Sequence, residues 1–257
     1  MVTDPGAGPC ADTCAGPGAD PGPNAGDAPF LGVLGTLQLA DSAFPAGLYA
    51  FSHGLESAVH EGRVRTAADL EAFLADWLAW QVGPGDAVVV AAAHRAAAAG
   101  DAALLVEIDR AAGATKLARE GREASVKTGA RLLATAVVIA PGHAALAALQ
   151  RAAARRETPG TYAAAFGAAA AALGAPAAAA VLAELHGAAT GLLGAALRLM
   201  RIDHQQTQAI LRRQAPRLTA IAAAALAADW RELRPSAPYA EILQMRHETA
   251  HVRLFSS

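Results

Sequence analysis

The sequence predicts an all-α protein, a single helical domain of about nine to ten helices behind a disordered N-terminal tail. Three observations carry that expectation. Hydrophobic types make up 54% of the 257 residues and charged types 17%, and much of the apolar share is alanine, a strong helix former that brings little buried area. Apolar residues recur at three- and four-residue spacing, and no alternating strand pattern of useful length occurs. Capping residues and Gly/Pro breakers punctuate the chain at helix-length intervals.

Residues 1–29 are rich in Pro, Gly, Ala and Asp and carry almost nothing large and apolar. Burial there cannot offset the entropy of ordering, so this stretch is expected to be disordered. The domain is expected over 30–257. Residues 31–40 form a short apolar helix, and 41–48, with Pro45 and Gly47, a turn. Helix resumes over 50–61 and stops at Gly62, a residue suited to the left-handed position after a helix end. Thr66 and Asp69 have the spacing of a capping box. Behind it, Leu70, Phe73, Leu74, Trp77, Leu78 and Val82 form the clearest buried stripe in the chain. Pro84-Gly85 is expected to end that helix, and Asp86 and Asp101 to cap the next two. A longer charged helix follows over 114–138, then one over 143–155 and two Ala-rich helices split near Pro176. Asp203 caps a helix through 228 that Pro216 kinks or divides, and a last short helix covers 239–247.

Composition and motifs exclude several functions. The formal net charge is −2 and no basic stripe with interleaved aromatics appears, which argues against nucleic acid as a partner. The only cysteines, Cys10 and Cys14, lie in the tail; two thiolates without a nearby His make an incomplete tetrahedral metal site. No basic start leads into an apolar core, so the cytoplasm is the expected location. The uncharged run between Glu157 and Glu184 is Ala-rich and broken by Gly and Pro, so it reads as buried helices and not a membrane span. There is no nucleophile elbow, P-loop or dinucleotide fingerprint, and no cofactor is expected.

Two histidine groups invite a metal reading. His53, Glu56 and His60 could share a helix face, but His residues seven apart lie ~10 Å from each other along a helix, too far for one ion. His247-Glu248-Thr249-Ala250-His251 matches H-E-x-x-H literally, the pattern in which two His bind zinc and the Glu acts as base. Only six residues follow it, so a third ligand and a closed cleft would have to come from elsewhere. A metallohydrolase built on these residues is the enzymatic alternative. A relay carrying nickel on scattered histidines is another, although no His-rich tract suggests storage. What otherwise remains is a helical domain without a visible active site, which favours a scaffold or adaptor working through its surface.

Residues 37–56 carry a more specific pattern. Phe44, Pro45, Gly47, Phe51, Ser52, Gly54, Leu55 and Glu56 fall in register with the approximate signature L-x-S-x-x-[FL]-P-x-G-x-[FY]-x-[FY]-S-x-G-L-E, with Leu48-Tyr49 varying around its aromatic. Met245-Arg246-His247-Glu248-Thr249 and Arg253-Leu254-Phe255-Ser256-Ser257 match a C-terminal M-R-H-E-T…R-L-F-x-S ending. With weaker agreement over residues 69–78, 119–133 and 164–174, the chain from about residue 31 onward resembles the UreF family of urease accessory proteins. That resemblance implies an all-α, dimeric, non-catalytic maturation factor. It implies partners too: UreD (UreH in some bacteria), the nickel-carrying GTPase UreG, whose cycle it would modulate, and apo-urease. It places partner contacts in the Pro45–Gly47 turn, with Phe44, Tyr49 and Phe51 as aromatics that are either exposed anchors or core. It also makes residues 239–257, including Tyr239, Arg246, His247, Glu248, Arg253 and Phe255, a partner-binding tail. That tail is expected to be mobile until a partner orders it.

Overall fold

The structure, a computed structural model, describes residues 27–47, 50–251 and 253–256. Among them every regular element is helical. In chain order these are α1 (Ala28–Ala40), α2 (Leu55–His60), α3 (Ala67–Trp77), a π-helical segment (Leu78–Ala87), α4 (Val88–Ala98), α5 (Ala102–Ala114) and α6 (Arg119–Ile139). Then come α7 (Ala144–Ala154), α8 (Tyr162–Ala172), α9 (Ala177–Leu199), α10 (His204–Ala227), a 3₁₀ turn (Trp230–Glu232) and α11 (Pro238–His247). The expected tail, up to residue 26, lies outside the described residues, as do Cys10, Cys14 and Tyr49. Helix α1 begins earlier than expected because Pro29 fits its first turn.

The capping box at Thr66 and Asp69 is formed, and the stripe from Leu70 to Val82 is buried throughout. Asp203 caps α10 reciprocally with Gln206, and α10 runs on through Pro216 undivided.

The expected stop at Pro84-Gly85 does not occur. α3, the π segment and α4 follow one another without a break, and Pro84 lies inside. Proline has no N–H for the carbonyl four residues back, that of Trp80, and its ring crowds the preceding turn. The wider π turn makes room for the ring. The Trp80 carbonyl finds another donor, the Ser236 N–H at 2.7 Å. Asp86 is therefore no cap; it pairs with Lys116 Nζ at 2.8 Å. Two further boundaries move. The helix expected over 50–61 begins only at Leu55, and the one expected over 114–138 begins at Arg119.

The core is contiguous and rich in alanine. α4 and α8 lie against each other through Ala faces, and at Gly167 the helices come so close that a Cβ would strike the Val90 carbonyl. Small side chains give each contact little area, so close backbone approach is how this core reaches native density. α9 is long and apolar enough to cross a membrane by length and composition, but half of it is buried inside the protein and it carries the buried Glu184.

Candidate functional site

The segment that leads into α2 and the C-terminal segment meet. The turn before α2 is tight: His53 adopts φ 52° and Gly54 φ 86°. A Cβ on Gly54 would meet the Ala240 carbonyl and Leu243, so this glycine lets α2 lie directly on α11. Leu55 and Leu243 are fully buried.

On this contact sits a buried charged cluster. His247, at the end of α11, is 1% exposed. Its Nδ1 lies 2.7 Å from Glu120 Oε2 on α6, and its Nε2 3.0 Å from Glu56 Oε2 on α2. Arg253 donates to the other Glu120 oxygen at 2.9 Å. The Leu254 and Phe255 N–H groups donate to Glu56 at 2.7 and 3.1 Å. Burial alone would raise the Glu56 carboxyl. The bonds from the Leu254 amide, His247 and the Phe255 amide outweigh burial and hold it below its ordinary value. The Arg198 guanidinium lies over the Phe255 ring, 4.2 Å from its centroid, and the Ser256 N–H donates to the Ala50 carbonyl. Every carboxylate oxygen in the cluster has a donor, the condition under which buried charges are tolerated.

Around it lie two exposed ion pairs, Arg246 with Glu61 at 2.9 Å and Arg119 with Glu248 at 3.3 Å. Such pairs contribute ~0.2–1 kcal/mol each, so they orient the rim more than they hold it.

The residues singled out from sequence therefore divide. Ser52, Gly54, Leu55, Glu56, His247 and Phe255 are buried against the chain itself. Phe51 is core and Phe44 is half-buried against it, which decides between anchor and core for these two aromatics. Pro45 is exposed, and Gly47, at φ 78°, lies against the Arg131 guanidinium. In the structure residues 238–251 and 253–256 pack on the body, where Glu56 and Glu120 supply acceptors for His247, Arg253 and the Leu254 amide. Tyr239, Met245, Arg246, Thr249 and Arg253 remain exposed.

The H-E-x-x-H match is not assembled as a metal site. α11 ends at His247, whose two nitrogens face carboxylates, while Glu248 pairs with Arg119 and His251 is exposed. Among the described residues no three His, Cys, Asp or Glu side chains form a metal-binding group. The His53–Glu56–His60 face is dispersed too: His53 stacks on Trp77 at 4.7 Å, Glu56 meets His247, and His60 is exposed.

Sequence reasoning missed Glu120, Arg198 and Glu61. Glu120 lies on α6, Arg198 on α9 and Glu61 just past α2, all far along the chain from the tail residues that they touch, and spacing along one helix carries no trace of such pairings.

These features define a class: an all-α protein whose N-terminal turn and C-terminal segment close on one another around a buried acid–base cluster. The UreF family model matches residues 64–215, the helical body between those ends. The chain belongs to the UreF family. It is 36% identical over 228 residues to urease accessory protein UreF 2 of Brucella canis, covering 87% of this chain and 91% of the relative. It is 31% identical over 224 residues to UreF of Trichodesmium erythraeum, covering 87% and 96%. It is 32% identical over 225 residues to UreF of Yersinia pseudotuberculosis, covering 88% and 98%.

Proposed function

We propose that this chain is a urease maturation factor acting in the cytoplasm as a non-catalytic scaffold. In this reading it joins UreD (or UreH) and recruits the nickel-carrying GTPase UreG to apo-urease, modulating the GTPase cycle as nickel is inserted. The observation that carries the reading is the outer face of α11. Tyr239, Ile242 and Met245 stand exposed at three-residue spacing, 49%, 47% and 42% accessible, on the helix that ends in His247 of the buried cluster, and Leu254 is exposed as well. A short helix pinned from beneath by charges and apolar on top suits a protein partner, since pre-ordering lowers the entropic cost of binding. UreD is the partner assigned to this face.

A second face supports self-association. α1 packs inward through Gly32 and Gly35 and turns Phe30, Val33, Leu34 and Leu37 outward, each more than half exposed. That is a continuous helical stripe, and a second copy of the chain is the proposed occupant.

The test is size-exclusion co-purification of the tagged chain with UreD and UreG, using wild type and Ile242→Asp/Met245→Asp. Both substituted positions are exposed, so folding should persist. A wild-type complex lost in the double variant at unchanged thermal midpoint supports the reading. A complex that survives the double variant removes UreD from this face, and no complex with wild type refutes the scaffold role.

A further inference from the structure

A cavity of ≈ 120 Å³ lies apart from the charged cluster, walled by α3 and the π segment, α6, α8, α9 and α11. It is kept open by small residues. On α9, Gly187 and Gly191 face it one turn apart, and a Cβ at either would meet nothing within 4 Å. Glycine inside a helix costs ~1 kcal/mol relative to alanine, and here no close backbone approach accounts for it. What the two glycines provide is room.

The walls also carry polar side chains. Among the described residues the Gln81 side-chain oxygen and one carboxyl oxygen of Glu241 are buried without a hydrogen-bond partner; Glu241 is 8% exposed. Both orphans are acceptors. Glu184, on the same face of α9 as the glycines, brings a second buried carboxyl, and Asp86 a third. Among the described residues Lys116 is the one cation in the wall, and Asp86 already engages it at 2.8 Å. His53 and Tyr162 complete the titratable lining. Burial lowers the imidazole to about 4 and, with Glu184 and Asp86 nearby, raises the phenol, so both stay neutral around neutral pH. Asp86 and Lys116 are committed to each other and burial holds Glu184 protonated, so Glu241 is the carboxyl left without a cationic partner, and two acceptors still lack donors. Buried acceptors call for N–H or O–H donors, and a buried carboxyl without a partner calls for positive charge. Coordination to a metal is a poor fit, because no three ligating side chains converge among the described residues.

We propose that this cavity is a binding site for a small N–H-bearing cation of the ammonium or alkylammonium class, held by Gln81, Glu184 and Glu241. The site does not depend on the scaffold reading. Glu184 gives binding a proton signature. Burial, then the nearby Asp86, raises its carboxyl to about 8, so it is protonated in the free protein at neutral pH and a bound cation drives the proton off. Of the facing groups, Asp86 and Glu241 favour the cation, Lys116 opposes it, and His53 and Tyr162 remain neutral.

The experiment is calorimetry of the full chain with ammonium and methylammonium chloride at constant ionic strength. Sodium serves as a cation without donors, tetramethylammonium as an organic cation without N–H, and urea as a neutral donor. Saturable binding is expected for the first two alone. It should weaken at least tenfold in Glu241→Gln and in Gly191→Leu, which fills the space and removes no polar group. Gly187→Ala/Gly191→Ala is the milder filling variant should Gly191→Leu not fold. Heats should differ between buffers of different ionisation enthalpy, reporting proton release. The proposal is overturned by an absence of saturable heat, by equal binding of tetramethylammonium, sodium or urea, or by equal affinity in the filled variants. A buffer-independent heat removes Glu184 from the site.

Discussion

Replacing Glu56 by Gln is the sharpest perturbation of the contact between α2 and the C-terminal segment. The carboxylate accepts three bonds, from the Leu254 and Phe255 amides and from His247 Nε2. An amide of the same shape keeps one oxygen, which does best where Phe255 N–H and His247 Nε2 share a single acceptor. Its NH₂ group then faces the Leu254 N–H, a donor that it cannot serve. A lost bond to a charged acceptor is worth ~1.5–3 kcal/mol, and one is lost outright, so roughly 1.5–3 kcal/mol is set against docking. The loss has a ceiling: once the tail has left, nothing more is forfeited, and the apparent cost cannot exceed the docking free energy. At about 1.4 kcal/mol per decade, the open population rises roughly tenfold to a hundredfold. Amide hydrogen exchange reads this directly. Protection at Leu254, Phe255 and residues 243–247 should fall while α4 and α8 keep theirs. Unchanged protection at Leu254 and Phe255 would refute the assignment of Glu56 as the anchor.

Other expectations follow from the same geometry. The carboxyl of Glu56 lies below its ordinary 4.5 in the folded state, so its contribution is present above pH 4.5 and is lost as pH falls through the lower folded value. Tail protection in wild type should therefore drop in acid, and in Glu56→Gln that dependence should vanish. Glu184 has the opposite sign. Its folded value near 8 lies above the unfolded 4.5, so its burial destabilises the fold progressively from pH 4.5 to 8, at about 1.4 kcal/mol per unit. Glu184→Gln should match wild type near pH 5 and exceed it at pH 8 in chemical denaturation; a constant difference would contradict this. Gly54→Ala combines φ 86° with a clash at the Ala240 carbonyl and should cost ~1–3 kcal/mol, read as faster proteolysis near α11. If α1 carries the proposed self-association, Leu34→Asp on its exposed face should lower the mass seen in light scattering to that of a monomer without lowering the thermal midpoint, and an unchanged mass would remove α1 as the interface.

Local rules were legible where one helix contains the whole cause. The Thr66–Asp69 box, the Leu70–Val82 stripe, the Asp203 cap and the break before α9 involve residues within a turn or two of each other. Pro84 shows the limit. Its helix-breaking tendency is real, but the answer to it, the Ser236 N–H on the Trp80 carbonyl, comes from more than 150 residues along the chain. The H-E-x-x-H match fails likewise. Its spacing assumes one continuous helix, whereas α11 stops at His247 once that side chain turns inward to Glu56 and Glu120. The family signature named residues at both ends of the site, yet nothing in either segment said that they touch, and Glu120 stood outside both.

That touching changes what the tail residues are for. His247 and Phe255 are too buried to meet a partner, and substituting them tests docking onto the body before it tests recognition. The charges of this corner are consumed internally: Glu56 and Glu120 are saturated by His247, Arg253 and two amides. Facing outward are the apolar residues Tyr239, Ile242 and Met245 of α11, with Arg246 and Arg253 exposed among the polar groups of the same corner. Buried polar bonds fix the helix in one register, and the exposed apolar face supplies the area that association can use. A defect beneath and a defect on top should therefore be separable. Glu56→Gln should weaken partner binding by lowering the docked population, and a disulfide or linker that reseats α11 should restore it. Ile242→Asp removes the surface itself, so reseating the helix should restore nothing. Rescue of both variants, or of neither, would break the link between the buried cluster and the surface that it holds.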